Sequence, residues 1–330
     1  MSAIALDPSS AHAANTSGID VDGIDVRAFG RVAVVMGGES SERQVSLWSG
    51  EAVLAGLRRA GVDAQAVDGA SNLLSSLLQR QFDRVFIILH GPGGEDGVLQ
   101  GALEALKIPY TGSGVIGSAL GMDKIRSKRI WQNMGIPTPE FVQVARAQSA
   151  ASLVRDFALP LVLKPSAEGS TFGITLCRTT EQVELGLNEA RRFGGPVLAE
   201  RLVEGEEYTV AILGRRVLPI IHVVPKSKFY DFDAKYLSDE TDYRIPSGLS
   251  NQQEAAVQAL ALQAFDAIGA SGWGRVDVML DRSGAVYFLE ANTNPGMTSH
   301  SLVPKAAKAV GIEFDALCLH ILATSLEPRR

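Results

Sequence analysis

The sequence predicts an α/β domain with a parallel sheet, followed by two α+β domains built on antiparallel strands. Three observations carry this prediction. From residue 31 to residue 112, short apolar runs that stop at glycines alternate with stretches of helical spacing. After about residue 123, β-prone runs follow one another with few helices between them. The run 208–225 then folds back on itself around Gly214. With 330 residues, 46% hydrophobic and 21% charged, the chain can bury two or three cores.

RVAVVMGG (31–38) reads as a buried strand ended by two glycines, and SSERQVSLWSGEAVLAGLRRAG (40–61) as a helix running to a Gly61 cap. Ser41 and Gln44 have capping-box spacing, which makes Glu42 a first-turn acid or a cleft residue. VDAQAVD (62–68), RVFIILHG (84–91) and KIPYTG (107–112) repeat the strand pattern with helices between. Strands alternating with helices imply a parallel sheet covered on both faces. Ligands of such sheets gather at the carboxyl ends of the strands, where Glu42, His90 and Glu95 fall.

LPLVLKPS (159–166), GITLCR (173–178) and PVLAERLV (196–203) read as antiparallel strands with one helix over 180–193. NQQEAAVQALALQAFDAIG (251–269) is an amphipathic helix with Val257, Leu260, Ala261, Ala264, Phe265 and Ile268 on one stripe. The connection 226–249 is too long for a compact domain and carries five aromatics, which points to a lid. These elements divide the chain into a leader (1–29), an N-terminal domain (30–123), a central domain (124–207) and a C-terminal domain (208–330).

The net charge of -6 offers no basis for wrapping nucleic acid or docking on an anionic membrane, so small molecules are the expected partners. Cys177 and Cys318 form no C-x-x-C and are expected as reduced core thiols. The leader, with Asp7, Asp20, Asp22 and Asp25, lacks the basic start of a secretory signal. No apolar run approaches the ~20 residues that cross a bilayer, and the expected location is the cytoplasm.

In GWGRVDVMLDRSGAVYFLEANT (272–293), an even turn at DRSG (281–284) would pair Leu280 with Ala285, Val278 with Tyr287 and Arg275 with Glu290. Alternation then sets Arg275, Asp277, Glu290 and Asn292 on one face. Two carboxylates and an amide oxygen suit Mg²⁺. The same pattern fits a solvated face with one Arg–Glu pair, and an odd loop with a bulge would divide the residues between faces. In KPSAEGSTFG (164–173), Lys164 ends an apolar strand and a small-residue loop offers backbone N–H groups to phosphate oxygens, although such turns are also common in hairpins. There is no Gly-Lys dipeptide and hence no Walker loop. GSGVIG (112–117) matches G-x-G-x-x-G but lies late in its domain, against a dinucleotide site.

Taken in order, GGxSxE (37–42), HGxxGEDG (90–97), YTGSG…MDK (110–124), KPSxEGSxxG (164–173), FYDFDAKY (229–236), GWGRVDVML (272–280) and LEANTNPGMTSHS (289–301) resemble the D-alanine–D-alanine ligases of the ATP-grasp superfamily. The resemblance covers nearly everything from residue 31 onward. It implies a three-domain ATP-grasp fold that clasps ATP between the second and third domains. It further implies that Lys124 and Lys164 meet the phosphates, that Glu200, Arg201, Leu202, Val203 and Glu207 hold adenine and ribose, and that Asp277, Glu290 and Asn292 bind two Mg²⁺ ions, with Mn²⁺ able to substitute. By the same resemblance, Glu42, with Ser170 and Tyr236, would receive the ammonium of the first D-alanine, and His90 and Arg275 would flank its carboxylate. Lys235, Ser301 and Leu302 would hold the second D-alanine, and the Gly296 N–H would face an oxyanion. The implied reaction is ATP-dependent formation of D-alanyl-D-alanine through a D-alanyl phosphate, by a homodimer. Pro92, Arg201 and Asn294 depart from the family pattern without removing a functional side chain.

Overall fold

The computed structural model describes residues 23, 25–169, 171–225 and 241–327. Its first sheet is parallel, in the order β2-β1-β3. The fully buried β1 (Val32–Met36) lies between β2 (Ala64–Asp68) and β3 (Arg84–Ile87). Helices α1 (Arg43–Arg59) and α2 (Gly69–Leu78) connect the strands, and Gly61 follows α1 at φ +86°, a left-handed conformation that glycine adopts without strain. KIPYTG is not a strand. It touches the sheet through one bridge, Tyr110 to Val85, because Pro109 beside it has no N–H to give a ladder. GSGVIG runs into α4 (Val115–Met122), which follows α3 (Val98–Ala105) and not a βα phosphate turn.

Helix α5 (Lys124–Asn133) is capped by Asp123, whose Oδ1 accepts from the N–H groups of Ile125 and Arg126. It leads into a four-stranded antiparallel sheet of β4 (Phe141–Val144), β5 (Leu161–Pro165), β6 (Thr175–Cys177) and β7 (Val197–Arg201), in the order β4-β7-β5-β6. Helices α6 (Ala150–Asp156) and α7 (Thr180–Arg191) bury Leu153, Val183 and Leu187 against Leu161, Leu163 and Cys177. Both cysteines are buried free thiols, as expected, and burial pushes Cys177 up to about 11.

The third sheet is built from β8 (Gly205–Leu213), β9 (Arg216–Val217), β10 (Ile221–Val224), β11 (Asp242–Arg244), β12 (Trp273–Asp281) and β13 (Val286–Asn292). Its order is β11-β10-β8-β12-β13, with β9 paired to β8. Gly214 turns the β8–β9 hairpin at φ +61°. The connection 226–249 is not wholly a loop, since 242–244 form β11 on the edge of β10; residues 226–240 lie outside the described residues. Helix α8 (Asn251–Ala267) carries a full capping box from Ser250 and Gln253 and buries Val257, Ala261, Ala264 and Phe265. The closing helices α9 (Leu302–Lys308) and α10 (Phe314–Ala323) return to the first sheet and share one core with Val34, Val53 and Leu57.

The β12–β13 register differs from the expected one in two ways that compensate. The loop is odd: Leu280 faces Val286, because Asp281 Oδ1 accepts from the N–H groups of Ser283 (2.8 Å) and Ala285 (3.0 Å) and draws Ala285 into the turn. A bulge between Asp277 and Val278 then leaves Leu289 without an opposite residue. Either change alone would put the polar residues on opposite faces. Together they restore the parity, with Arg275 opposite Asn292 rather than Glu290, and Asp277 opposite Glu290.

Candidate active site

A cleft opens where the carboxyl end of the parallel sheet, the start of α5, the loop after β5 and the end of β13 meet. Of the residues expected in a site, Glu42, Lys124, Arg275, Glu290, Asn292, Gly296, Ser301 and Leu302 line it. Glu95, expected near the strand ends where ligands gather, lines it too, and Glu168 and His300 join them without having been assigned a role.

The β12–β13 face supplies its polar floor. Arg275 donates from Nε and Nη2 to the two oxygens of buried Asp277, each at 2.8 Å, and Thr209 Oγ1 donates to Asp277 Oδ1 at 2.6 Å. Lys124 Nζ stands 3.1 Å from Glu290 Oε2 and donates to the Glu168 carbonyl at 2.6 Å. Asn292 Oδ1 accepts from Asn294 N–H at 3.1 Å, and Asn294 Nδ2 donates to the Leu89 carbonyl at 2.6 Å, which ties the turn after β13 to the end of the β3 segment. Beyond the turn, Ser301 Oγ accepts from Thr298 N–H at 2.9 Å.

Asp277, Glu290 and Asn292 fit a divalent cation of the Mg²⁺ type. Such an ion takes one or two carboxylates and completes its shell with water and substrate phosphates. Each carboxylate already has a cation beside it, Asp277 that of Arg275 and Glu290 that of Lys124. Among the described residues no cluster of three His, Cys, Asp or Glu that could hold a metal is present.

Glu42 is buried at the start of α1, and the expected capping box is absent: Ser41 Oγ reaches Glu168 Oε2 at 3.4 Å instead. The Glu42 carboxylate abuts Gly169, where an added Cβ would lie 2.7 Å from Oε2 and would displace the carboxylate end of that side chain. Glu95 Oε2 accepts from Gly91 N–H at 2.8 Å. Burial, and then the nearby Glu42, hold the Glu95 carboxyl well above the usual carboxylate range. His90 is buried beside this loop, and burial pushes it down to about 4. It borders an adjoining hollow of ≈ 380 Å³ between residues 37–39 and 68–72, and its Nε2 has no hydrogen-bond partner among the described residues.

The expected nucleotide residues split into two groups. Lys164, at the end of β5, and Glu200, on β7, meet in a buried ion pair that Lys128 joins, its Nζ 3.1 Å from Glu200 Oε2. Burial pulls Lys164 down, but Glu200, Glu290 and Glu207 outweigh it and hold the ammonium above its ordinary value. Lys128 falls to about 8, from burial in the first place. Arg201 donates to the Ala158 carbonyl at 3.0 Å over the Phe157 ring, while Leu202 N–H reaches the Pro160 carbonyl at 3.3 Å. Val203 is half-buried, and Glu207 lies on β8 opposite Val223 and Met279. Ser170, Lys235 and Tyr236 lie outside the described residues. Lys128 carried one signal in the sequence: it follows Lys124 by four residues and so shares its helix face.

Residues 130–323 match the family model described as D-ala D-ala ligase C-terminus, and residues 63–113 match the D-ala D-ala ligase N-terminus. The chain belongs to the D-alanine–D-alanine ligase family. A relative from Nitrosococcus oceani named D-alanine–D-alanine ligase is 53% identical over 306 residues, covering 93% of this chain and 97% of the relative. One of the same name from Xanthomonas axonopodis pv. citri is 52% identical over 308 residues, 92% of this chain and 96% of the relative. A Bacillus anthracis D-alanine–D-alanine ligase crystallised with ATP superposes with a TM-score of 0.78 at 32% identity, over 90% of this chain and 97% of that one. The architecture is therefore the ATP-grasp fold of this ligase family, a parallel α/β sheet followed by two sheets that are antiparallel.

Proposed function

We propose that this chain joins two molecules of D-alanine into D-alanyl-D-alanine at the expense of ATP, releasing ADP and phosphate, as a step in making peptidoglycan precursors. The observation that carries the reading is the convergence of Glu42, Lys124, Arg275, Glu290, Asn292 and Ser301 on one cleft from elements more than 200 residues apart. A carboxylate is a poor acyl donor, so its oxygen first takes the γ-phosphoryl group of ATP, giving a D-alanyl phosphate and ADP. The amine of the second D-alanine then attacks the carbonyl, phosphate leaves with the C–O bond electrons, and the amine gives up a proton.

Lys124 and Lys164 hold the phosphates, with Glu200, Arg201, Leu202, Val203 and Glu207 around adenine and ribose. Glu42, with Ser170 and Tyr236, receives the ammonium of the first D-alanine. His90 and Arg275 orient its carboxylate, and Arg275 with the Gly296 N–H meets the charge that builds on oxygen. Ser301, Leu302 and Lys235 hold the second D-alanine. Asp277, Glu290 and Asn292 would hold Mg²⁺, with Mn²⁺ as substitute, and the bound ion would neutralise charge on the phosphoryl group. Three domains, 30–123, 124–207 and 208–330, then act as substrate platform and two jaws, with the 226–249 segment as a lid that excludes water. We assign the protein to the cytoplasm, where its nucleotide is found, and to a homodimer, both by likeness to the family. A nucleotide-binding regulator without turnover would have lost Arg275 or a metal ligand, and all are present.

ADP release measured with Mg²⁺ and D-alanine, L-alanine, D-serine or D-lactate tests the proposal. D-alanine should support the fastest release, and release that ignores D-alanine would overturn it.

A further inference from the structure

Glu200 is a buried carboxylate met by two ammonium groups, one more than its charge requires. The two lysines are not equivalent. Lys128 has a fully buried side chain and is fixed by three partners: Glu200 Oε2 at 3.1 Å, Thr138 Oγ1 at 2.7 Å and the Phe288 carbonyl at 3.3 Å. Thr138 Oγ1 itself donates to that carbonyl at 2.8 Å, which closes the arrangement. Lys164 is the penultimate residue of its strand, retains some exposure and, among the described residues, pairs with Glu200 alone among oxygens within ion-pair distance.

We infer that Lys128 is a positioning residue: it serves as the permanent counter-ion of Glu200, so that Lys164 can leave the carboxylate for a nucleotide phosphate. The inference rests on reading the cleft as a nucleotide site and adds a division of labour to it. Without Lys128, a phosphate that recruits Lys164 would strand a buried carboxylate with no cation, which is the costly half of a broken buried pair. With Lys128 in place, Glu200 stays paired whether or not nucleotide is bound. Lys128 also spans the two jaws, since Glu200 lies on β7 of the four-stranded sheet and Phe288 on β13 of the six-stranded one. Burial lowers Lys128 to about 8, which leaves it charged near neutrality and able to serve as a cation there.

Equilibrium binding of ATP with Mg²⁺, without amino acid, tests this in the full chain and in Lys128→Met, Glu200→Gln and the double variant. Lys128→Met should weaken ATP binding about tenfold or more, equivalent to ~1.4 kcal/mol, and raise the KM for ATP while kcat at saturation stays within about threefold. In the Glu200→Gln background no carboxylate is left to strand, so Lys128→Met should change affinity by less than about threefold. Equal losses in both backgrounds, or none in either, would overturn the inference. A wild-type chain that does not bind ATP would instead overturn the nucleotide reading itself. Should Lys128→Met fail to fold, Lys164→Met decides. Its Glu200 keeps Lys128, so it should melt within about 3 °C of wild type, whereas a Lys164→Met chain that also fails to fold would refute the assignment.

Discussion

Replacing Asp277 by Asn tests the polar floor in two independent ways. Asp277 and Arg275 are 9% and 15% exposed and share two hydrogen bonds of 2.8 Å, so the pair sits largely out of water. Removing one member of a buried pair costs ~3–5 kcal/mol. Asn keeps an oxygen for Thr209 and for one N–H of Arg275, so we expect about half of that, ~2 kcal/mol, or a fall in Tm of about 3–6 °C. Changes that only reorient a metal ligand cost about 10–100-fold, so losing the ligand itself should lower Mg²⁺-dependent ADP release by at least ~100-fold. Glu290→Gln is the contrast. Glu290 is 30% exposed and faces Lys124, so its loss should cost under ~1 kcal/mol of stability while removing activity to a similar degree. Thermal unfolding and ADP release on the same preparations decide. Full activity in Asp277→Asn refutes the metal assignment, and a larger Tm loss in Glu290→Gln than in Asp277→Asn refutes the pairing argument.

Gly169→Ala places a Cβ against both Glu42 carboxylate oxygens, so the KM for the first D-alanine should rise at least ~10-fold with Tm nearly unchanged; unchanged kinetics would show that Glu42 does not depend on the loop. Burial holds His90 at about 4 against an ordinary 6.5, so the unfolded chain binds the proton first and stability falls as pH drops from 6.5 toward 4. At pH 5 this amounts to at most ~2 kcal/mol. His90→Asn should therefore lose less stability than wild type between pH 7 and pH 5, and parallel curves would contradict the burial argument. By likeness to the family we take Tyr236 to favour an amine over a hydroxyl as nucleophile, so Tyr236→Phe should gain ester formation with D-lactate, detected by mass spectrometry. No gain would remove the basis for assigning an amine as nucleophile.

Much of the fold was legible because its strands are apolar and β-branched and its turns fall at glycines such as Gly61 and Gly214. KIPYTG misled because hydropathy does not register that Pro109 cannot join a ladder. The polar face of β12 and β13 was legible for a reason that alternation alone did not contain. The side chain of Asp281 lengthens the loop by one residue, and the bulge at Leu289 cancels the shift. Spacing likewise suggested a cap from Ser41, but that hydroxyl is drawn to Glu168, 127 residues away, which no local pattern reveals. Glu95 stood in a recognisable glycine-rich run, yet its place beside Glu42 depends on how the loop folds back onto Gly91. Lys128 belongs to no motif. Only the three-dimensional meeting of α5, β7 and β13 gives it a role.

We propose that this cleft activates a carboxylate by phosphorylation before an amine attacks it. D-Alanine carrying ¹⁸O in both carboxylate oxygens, turned over with unlabelled ATP and Mg²⁺, tests this most directly. One ¹⁸O atom is expected in each phosphate released, because the bridging oxygen of the acyl phosphate leaves with phosphorus. Phosphate free of label alongside D-alanyl-D-alanine would contradict it.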